Sequence, residues 1–197
     1  MRDLLVATSN KGKLPEIVAA LGDVPFRVLT LADVNAGADV EEPGETFEGN
    51  AIIKAMTYGK RTGLLTLAED TGLEVDALDG GPGVRTARFA PGTDADRFNK
   101  LLEVMKDVPD EKRGAQFRTV AALFDPVSDR VRLTTGVCRG TILRDARGNN
   151  SFGYSPIFYV PEQEMTMAEM EMVQLNTISH RGEAIRGIRA ALLAEFV

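Results

Sequence analysis

Five stretches of this chain concentrate side chains able to grip a polyanion or a metal ion. The first, ATSNKGK, offers the hydroxyls of Thr8 and Ser9, the amide of Asn10, the cations Lys11 and Lys13, and a small hinge at Gly12. It lies where an apolar run hands over to a helical pattern, so a triphosphate there would meet free backbone N–H groups as well as side-chain donors. The run is neither a Walker loop nor a dinucleotide fingerprint, and a polar turn with a helix cap accounts for the same residues. The second, LAEDTG, places Glu69 and Asp70 after an apolar run, at the kind of strand end where α/β proteins hold ligands. Neighbours on a strand point to opposite faces, so one carboxylate serves the site while the other is structural or supporting, and Asp70 is the choice for the site. An exposed strand end with a turn cap at Asp70 is the alternative.

The third stretch, ETFEGNAIIKA, carries Glu45, Glu48, Asn50 and Lys54, the last two one helical turn apart on one face. That face could supply a second metal carboxylate and a cation for phosphate, or be solvated. In SFGYSPIF, Phe152 beside Gly153 could stack on a flat base, and in ISHRGEA the only histidine, His180, stands next to Arg181, both able to donate to a ring carbonyl. A structural histidine and an ion-paired arginine are the competing readings.

The elements that must position these groups follow from periodicity. Leu4 to Ser9 reads as a buried strand. Leu14, Ile17, Val18 and Leu21 form one helical face, with Gly22 as a stop. A second strand is expected at Phe26 to Thr30, then an exposed acidic loop, GADVEEPGE. Thr46 caps a helix from about Phe47 to Arg61, ended by Gly63. LLTLAED predicts a strand ending in carboxylates and LEVDAL a further strand, before a DGGPGV turn. Asp94 opens a helix with Phe98, Leu101, Leu102 and Met105 on one side. Ala115 to Phe124 and Arg130 to Ile142 make a hairpin around DPVSD, GNNSFGYSP is irregular, and the last helix runs from about Gly182 to Phe196 with Ile185, Ile188, Leu192 and Phe196 inward. Met165, Met167, Met170 and Met172 read as adaptable packing rather than a metal box. Strands and helices intermixed in this way give an α/β protein with a mixed sheet.

Bulk properties fit that reading. At 197 residues, 44% hydrophobic and 26% charged, the chain predicts one folding unit, 1–197, possessing one core or two lobes around a cleft. No apolar run approaches the roughly 20 residues that span a bilayer, and the N-terminus lacks the basic start and long apolar stretch of a signal peptide, so no membrane partner and a cytoplasmic location are expected. A single cysteine, Cys138, excludes an internal disulfide framework. The formal charge of -6 disfavours nucleic acid as a partner while leaving a small phosphorylated ligand open.

Taken in order, TSNKGK, TFEGNAIIKA, AEDTGLEVDAL with GGPGVRTARFA, FGYSPIF and SHRGEA resemble the inosine triphosphate pyrophosphatase family, the non-canonical purine nucleoside triphosphatases. The resemblance covers nearly the whole chain. It implies an elongated, two-lobed α/β fold with a long central mixed sheet flanked by helices, a cleft between the lobes, and a homodimer. The implied reaction cleaves between the α and β phosphates of ITP, dITP or XTP, giving a nucleoside monophosphate and pyrophosphate, with Mg2+ as cofactor. It implies Asp70 as metal ligand and general base or water orienter; Glu48 or Glu45 could supply a further metal carboxylate, or Asp70 and the substrate alone could hold the Mg2+. Thr8, Ser9, Asn10, Lys11, Gly12, Lys13 and Lys54 would hold phosphates and Thr71 would lie near the substrate. The loop Phe152, Gly153, Tyr154 and Ser155 would stack the purine, with His180 and Arg181 reading its six-position oxygen. Adenine presents a donor there, and each donor left buried and unpaired costs about 1–3 kcal/mol. Guanine keeps the oxygen, so its exclusion must come from elsewhere.

Three positions depart from the family pattern: Ser155 stands where aspartate is usual, Leu175 where lysine is usual, and Gly49 where a metal-binding glutamate often occurs. A charge-assisted contact is about twice as strong as a neutral one, so the first two changes would relax base choice or weaken binding. A nucleotide-binding homologue with shifted base specificity or little catalysis is therefore the alternative function.

Overall fold

The computed structural model describes residues 1–149 and 152–196; Asn150 and Ser151, within the stretch expected to be irregular, and Val197 lie outside the described residues. In chain order the main elements are β1 (Arg2–Val6), α1 (Leu14–Leu21), β2 (Phe26–Thr30), α2 (Phe47–Thr62), β3 (Leu65–Val75), α3 (Asp94–Val104), β4 (Gly114–Asp125), β5 (Arg130–Ile142), β6 (Phe158–Val160), β7 (Met165–Thr166), α4 (Met172–Ile178) and α5 (His180–Glu195). The strand order is β2-β1-β3-β4-β5-β6-β7. β1 runs parallel to β2 and β3, whereas β6 pairs antiparallel with β5 and β7, so the sheet is mixed, as expected of this α/β chain.

The chain divides into two compact units. The first comprises Met1–Asp70, Thr119–Gly136 and His180–Val197. Its core joins Leu4 and Val6 of β1, Ile17 and Leu21 of α1, Leu65 and Leu67 of β3, and Ile185, Ile188 and Leu192 of α5. Each such side chain, withdrawn from water, contributes about 1.5–3 kcal/mol. The second comprises Thr71–Arg118 and Val137–Ser179, around Leu73, Val75, Leu101, Met105, Phe117, Ile142 and Phe158. Met167 and Met170 lie in that core with Met165 packed against it, while Met172 is exposed, so three of the four clustered methionines are packing residues.

Several sequence expectations change: the first strand, expected at Leu4 to Ser9, spans Arg2–Val6 and leaves Thr8 and Ser9 to the following turn. LLTLAED and LEVDAL are one continuous strand of 11 residues, β3, so Glu69 and Asp70 stand in its interior and not at a strand end. Thr71-Gly72 reads as a turn in isolation, but strand backbone is also open to both residues and the apolar run beyond them is drawn into a core. In α1, Val18 is exposed and buried Glu16 takes its place on the inward side with Ile17, Ala20 and Leu21. A carboxylate is tolerated there because α5 brings a guanidinium to it, which a hydropathy pattern does not register. Finally, α5 starts at His180, two residues earlier than expected, preceded by the short helix α4.

The seat of α5 depends on Gly136 in β5. A Cβ added there would stand 2.0 Å from the His180 carbonyl oxygen and 2.7 Å from the Ala184 nitrogen, both backbone atoms that cannot swing aside. Thr134 fixes the same approach by donating its hydroxyl to the Ala184 carbonyl at 2.7 Å. Gly136→Ala is therefore expected to lower stability by at least about 1–3 kcal/mol, the cost of overpacking. Urea denaturation read by circular dichroism checks this, and an unchanged midpoint would show that α5 is not held by that contact.

Candidate active site

Asp70 is 7% exposed and engages two side chains of α2. Asn50 donates its amide to one carboxylate oxygen at 3.1 Å, and the Lys54 ammonium lies 3.2 Å from the other. These two residues share a helix face because they are four apart, and α2 itself is fixed by Thr46, whose hydroxyl accepts from the Gly49 N–H at 3.1 Å, and by left-handed Gly63 at its end. Burial raises the Asp70 carboxyl above its ordinary value of 3.8, against the opposing pull of Lys54, Asn50 and Lys13 and with a further push from Glu42. Lys54 also holds Glu42 at 2.8 Å. Burial alone would lower its ammonium, but Asp70 and Glu42 outweigh that and raise it. The oxygen of Asn50 accepts from the Gly44 N–H at 2.8 Å, so the acidic loop before α2 is tied back to the same carboxylate.

Glu69 points the other way, as strand alternation requires. One of its oxygens lies 2.7 Å from the Lys13 ammonium, and the other accepts from Arg181 Nε at 3.2 Å. Arg181 Nη1 donates in turn to Glu16, so β3, α1 and α5 meet in a buried network of alternating charge. Burial would lower the Arg181 guanidinium, but Glu69 and Glu16 overcome it.

The segment before α1 is a compact turn. Asn10 N–H donates to the Thr8 hydroxyl at 3.2 Å, Gly12 N–H to the Asn10 side chain at 2.9 Å, and Lys13 N–H to the Asn10 carbonyl at 3.1 Å. Ser9, Asn10, Lys11 and Gly12 are exposed, Thr8 and Lys13 half-buried, and no side chain caps α1. His180, 5% exposed at the start of α5, is pushed well below its ordinary 6.5 by burial first and then by the Arg181 charge, so it is neutral at physiological pH. Lys13, Lys54, Asp70, His180 and Arg181 thus belong to one unit, and the Lys13 charge is felt at both Asp70 and His180.

Phe152, Gly153, Tyr154 and Ser155 belong to the second unit. Asp94 at the start of α3 accepts from the Gly153 N–H at 2.8 Å, and the Tyr154 hydroxyl donates to the Thr86 carbonyl at 3.0 Å. Burial pushes that phenol up to about 12, so it stays a donor. Phe152 and Ser155 are half-buried. Leu175 is 9% exposed and packs in the apolar core of that unit.

Sequence reasoning missed Glu42, Glu16 and Gly136. In sequence Glu42 belongs to an exposed acidic loop, and only its proximity to Lys54 reveals it. Among the described residues no group of three or more His, Cys, Asp or Glu side chains is placed to hold a metal. Buried Asp70 and half-buried Glu48 are both oxygen donors, the ligand type that hard divalent cations take. Half-buried Glu48, in the first turn of α2, carries one candidate carboxylate.

Residues 4–191 match the model of the Ham1 family. The chain is 45% identical over 185 residues to a dITP/XTP pyrophosphatase of Desulforamulus reducens, covering 93% of this chain and 92% of that protein. It is 47% identical over 187 residues to one of Geobacter sulfurreducens, covering 94% of each. Among solved structures, a HAM1 protein from Coxiella burnetii superposes with a TM-score of 0.89 at 40% identity, over 98% of this chain and 99% of that one. The Staphylococcus aureus Ham1 protein gives 0.87 at 36% identity, over 98% and 100%.

The buried neutral histidine sets a pH dependence. Unfolded, His180 takes up a proton near 6.5; folded, it does so only at far lower pH, so the unfolded state binds more protons below 6.5 and stability falls as pH falls. Urea denaturation between pH 7.5 and 5 is expected to show this loss in the wild type and a shallower one in His180→Gln. Parallel slopes would mean that His180 is charged in the folded protein.

Proposed function

The chain belongs to the Ham1 family, and on that premise we propose that it hydrolyses non-canonical purine nucleoside triphosphates, ITP, dITP and XTP, to the nucleoside monophosphate and pyrophosphate. Residues 1–197 act in this reading as one pyrophosphatase domain. The observation that carries it is Asp70, a buried carboxylate set against Lys54 and Asn50 and within the field of Lys13, whose side chain rises from the turn between β1 and α1.

In this reading the exposed Ser9–Gly12 turn, with the hydroxyls of Thr8 and Ser9, the Asn10 amide, and the cations Lys11, Lys13 and Lys54, holds the polyphosphate. Magnesium, bound by Asp70 and Glu48 together with phosphate oxygens, would offset the charge that builds on them in the transition state. Asp70 orients the attacking water and accepts its proton; burial raises its basicity for that task, and Asn50 fixes its plane. Thr71 lies beside the substrate. Neutral His180 donates to the six-position oxygen. Arg181, with Nε and Nη1 already given to Glu69 and Glu16, adds its remaining N–H groups. For the second unit the proposal is that the loop Phe152–Ser155 offers the Phe152 ring for stacking, its backbone held by Asp94. The net charge of -6 favours this small-molecule substrate over nucleic acid, a pool-cleansing activity favours a cytoplasmic location, and the homodimer is carried over from the family resemblance.

Leu175 and Ser155 supply no charge to the base, and this observation favours a second reading, a homologue that binds nucleotides with relaxed specificity or slow turnover. A panel of purine triphosphates with magnesium, assayed for pyrophosphate, separates the two. The first reading expects turnover of ITP, dITP and XTP far above that of ATP; binding by calorimetry with product at background supports the second. Asp70→Asn is expected to reduce kcat by about 10²–10⁴-fold, the scale of a lost general base, with melting temperature retained. A fully active Asp70→Asn variant would remove Asp70 from the chemistry.

A further inference from the structure

We propose that Glu69 is a positioning residue of this site, aiming the Lys13 ammonium at the polyphosphate while it anchors Arg181 beside His180. The inference rests on the phosphate-holding role proposed for Lys13 and adds what holds Lys13 in place.

The geometry is specific. Glu69 is buried, with its side chain 1% exposed, and its two oxygens are divided between two cations. One takes Lys13 at 2.7 Å and the other takes Arg181 at 3.2 Å. Lys13 is the last residue before α1, on a flexible four-carbon stem whose free rotation would spread the ammonium over many positions. A single buried anion at the root of the turn removes that freedom before any ligand arrives, so the entropy is lost on folding and not on binding. Arg181 is a planar fork fixed at two points, because Glu16 of α1 takes its Nη1. The same carboxylate therefore sets where the phosphate cation stands and where the first turn of α5, with His180, stands. Glu69 does this from the face of β3 opposite Asp70, so it positions without competing for the dication.

Two further features of the first unit are weaker candidates. A solvent-open hollow of about 600 Å³ lined by Asp3, Asn35, Gly37, Arg61 and Thr62 presents no buried charge to a ligand. Asp125, near Arg2 and Ser128, is accounted for by holding the turn after β4.

The test is a double-mutant cycle on Glu69→Gln and Lys13→Met, with ITP and magnesium, reading KM, kcat and melting temperature for all four proteins. Glu69→Gln is expected to raise KM about tenfold, 1.4 kcal/mol of binding by the standard conversion, with a smaller change in kcat. Placed on Lys13→Met, it is expected to add less than about twofold, because the residue it aims is already gone. Equal, multiplicative effects in both backgrounds overturn the inference while leaving the hydrolase reading intact. A wild type that yields no pyrophosphate from any purine triphosphate overturns that reading and the inference with it. Should Glu69→Gln fail to fold, Glu69→Asp keeps the buried charge but draws it back by one methylene. A several-fold rise in its KM supports the positioning role, and an unchanged KM refutes it.

Discussion

The arrangement depends on two adjacent carboxylates that a single strand sends to opposite faces. Neither Glu69 nor Asp70 could be ionised in an apolar interior without compensation, since a buried charge left alone costs several kcal/mol. Each therefore has its own cationic partners: Lys54, with Asn50, for Asp70, and Lys13 with Arg181 for Glu69. Almost every other element of the first unit can be understood as the support that brings those partners to β3. α2 presents Asn50 and Lys54 on one face, α1 follows directly from the turn that carries Lys13, and α5 begins at His180 and Arg181 against a glycine in β5.

The two faces are balanced differently, and the difference has chemical meaning. Glu69 faces two cations and lies in a network closed by Glu16, an arrangement that fixes its side chain in place. Asp70 shares the Lys54 ammonium with Glu42, and burial leaves its carboxyl above the ordinary range. A carboxylate that is incompletely compensated is the one able to take up a proton or attract a dication, whereas a saturated one serves as framework. In the second unit the candidate loop is held by Asp94, itself ion-paired with Arg97 at 3.0 Å, through one backbone N–H, and by the Tyr154 hydroxyl.

The departures at Ser155, Leu175 and Gly49 take on definite surroundings. Leu175 fills an apolar core, a place where its side chain contributes to packing rather than to recognition of a polar ring. At Gly49 a Cβ would stand 3.2 Å from the Thr46 hydroxyl, closer than ordinary contact, so a side chain there would need the capping hydroxyl to give way slightly. Glu42, brought into the field of Asp70 by Lys54, puts a negative charge nearby from a different segment.

Much of this was legible in the residues alone. Helical spacing identified α2, α3 and the apolar face of α5, strand alternation sent Glu69 and Asp70 to opposite faces, and five ordered motifs carried the family resemblance. Those features are local, fixed by backbone periodicity and by turn and cap chemistry within a few residues. What only the tertiary structure decided involves pairs far apart in the chain. Glu16 lies inward because Arg181, 165 residues away, meets it there, and Val18 is turned out to solvent as a result. Glu42 leaves the class of solvated loop charges because Lys54 reaches it, and Gly136 matters because the backbone of α5 passes within contact of it. Buried charge is stabilised by whatever partner the fold delivers, and one-dimensional pattern carries no record of that partner.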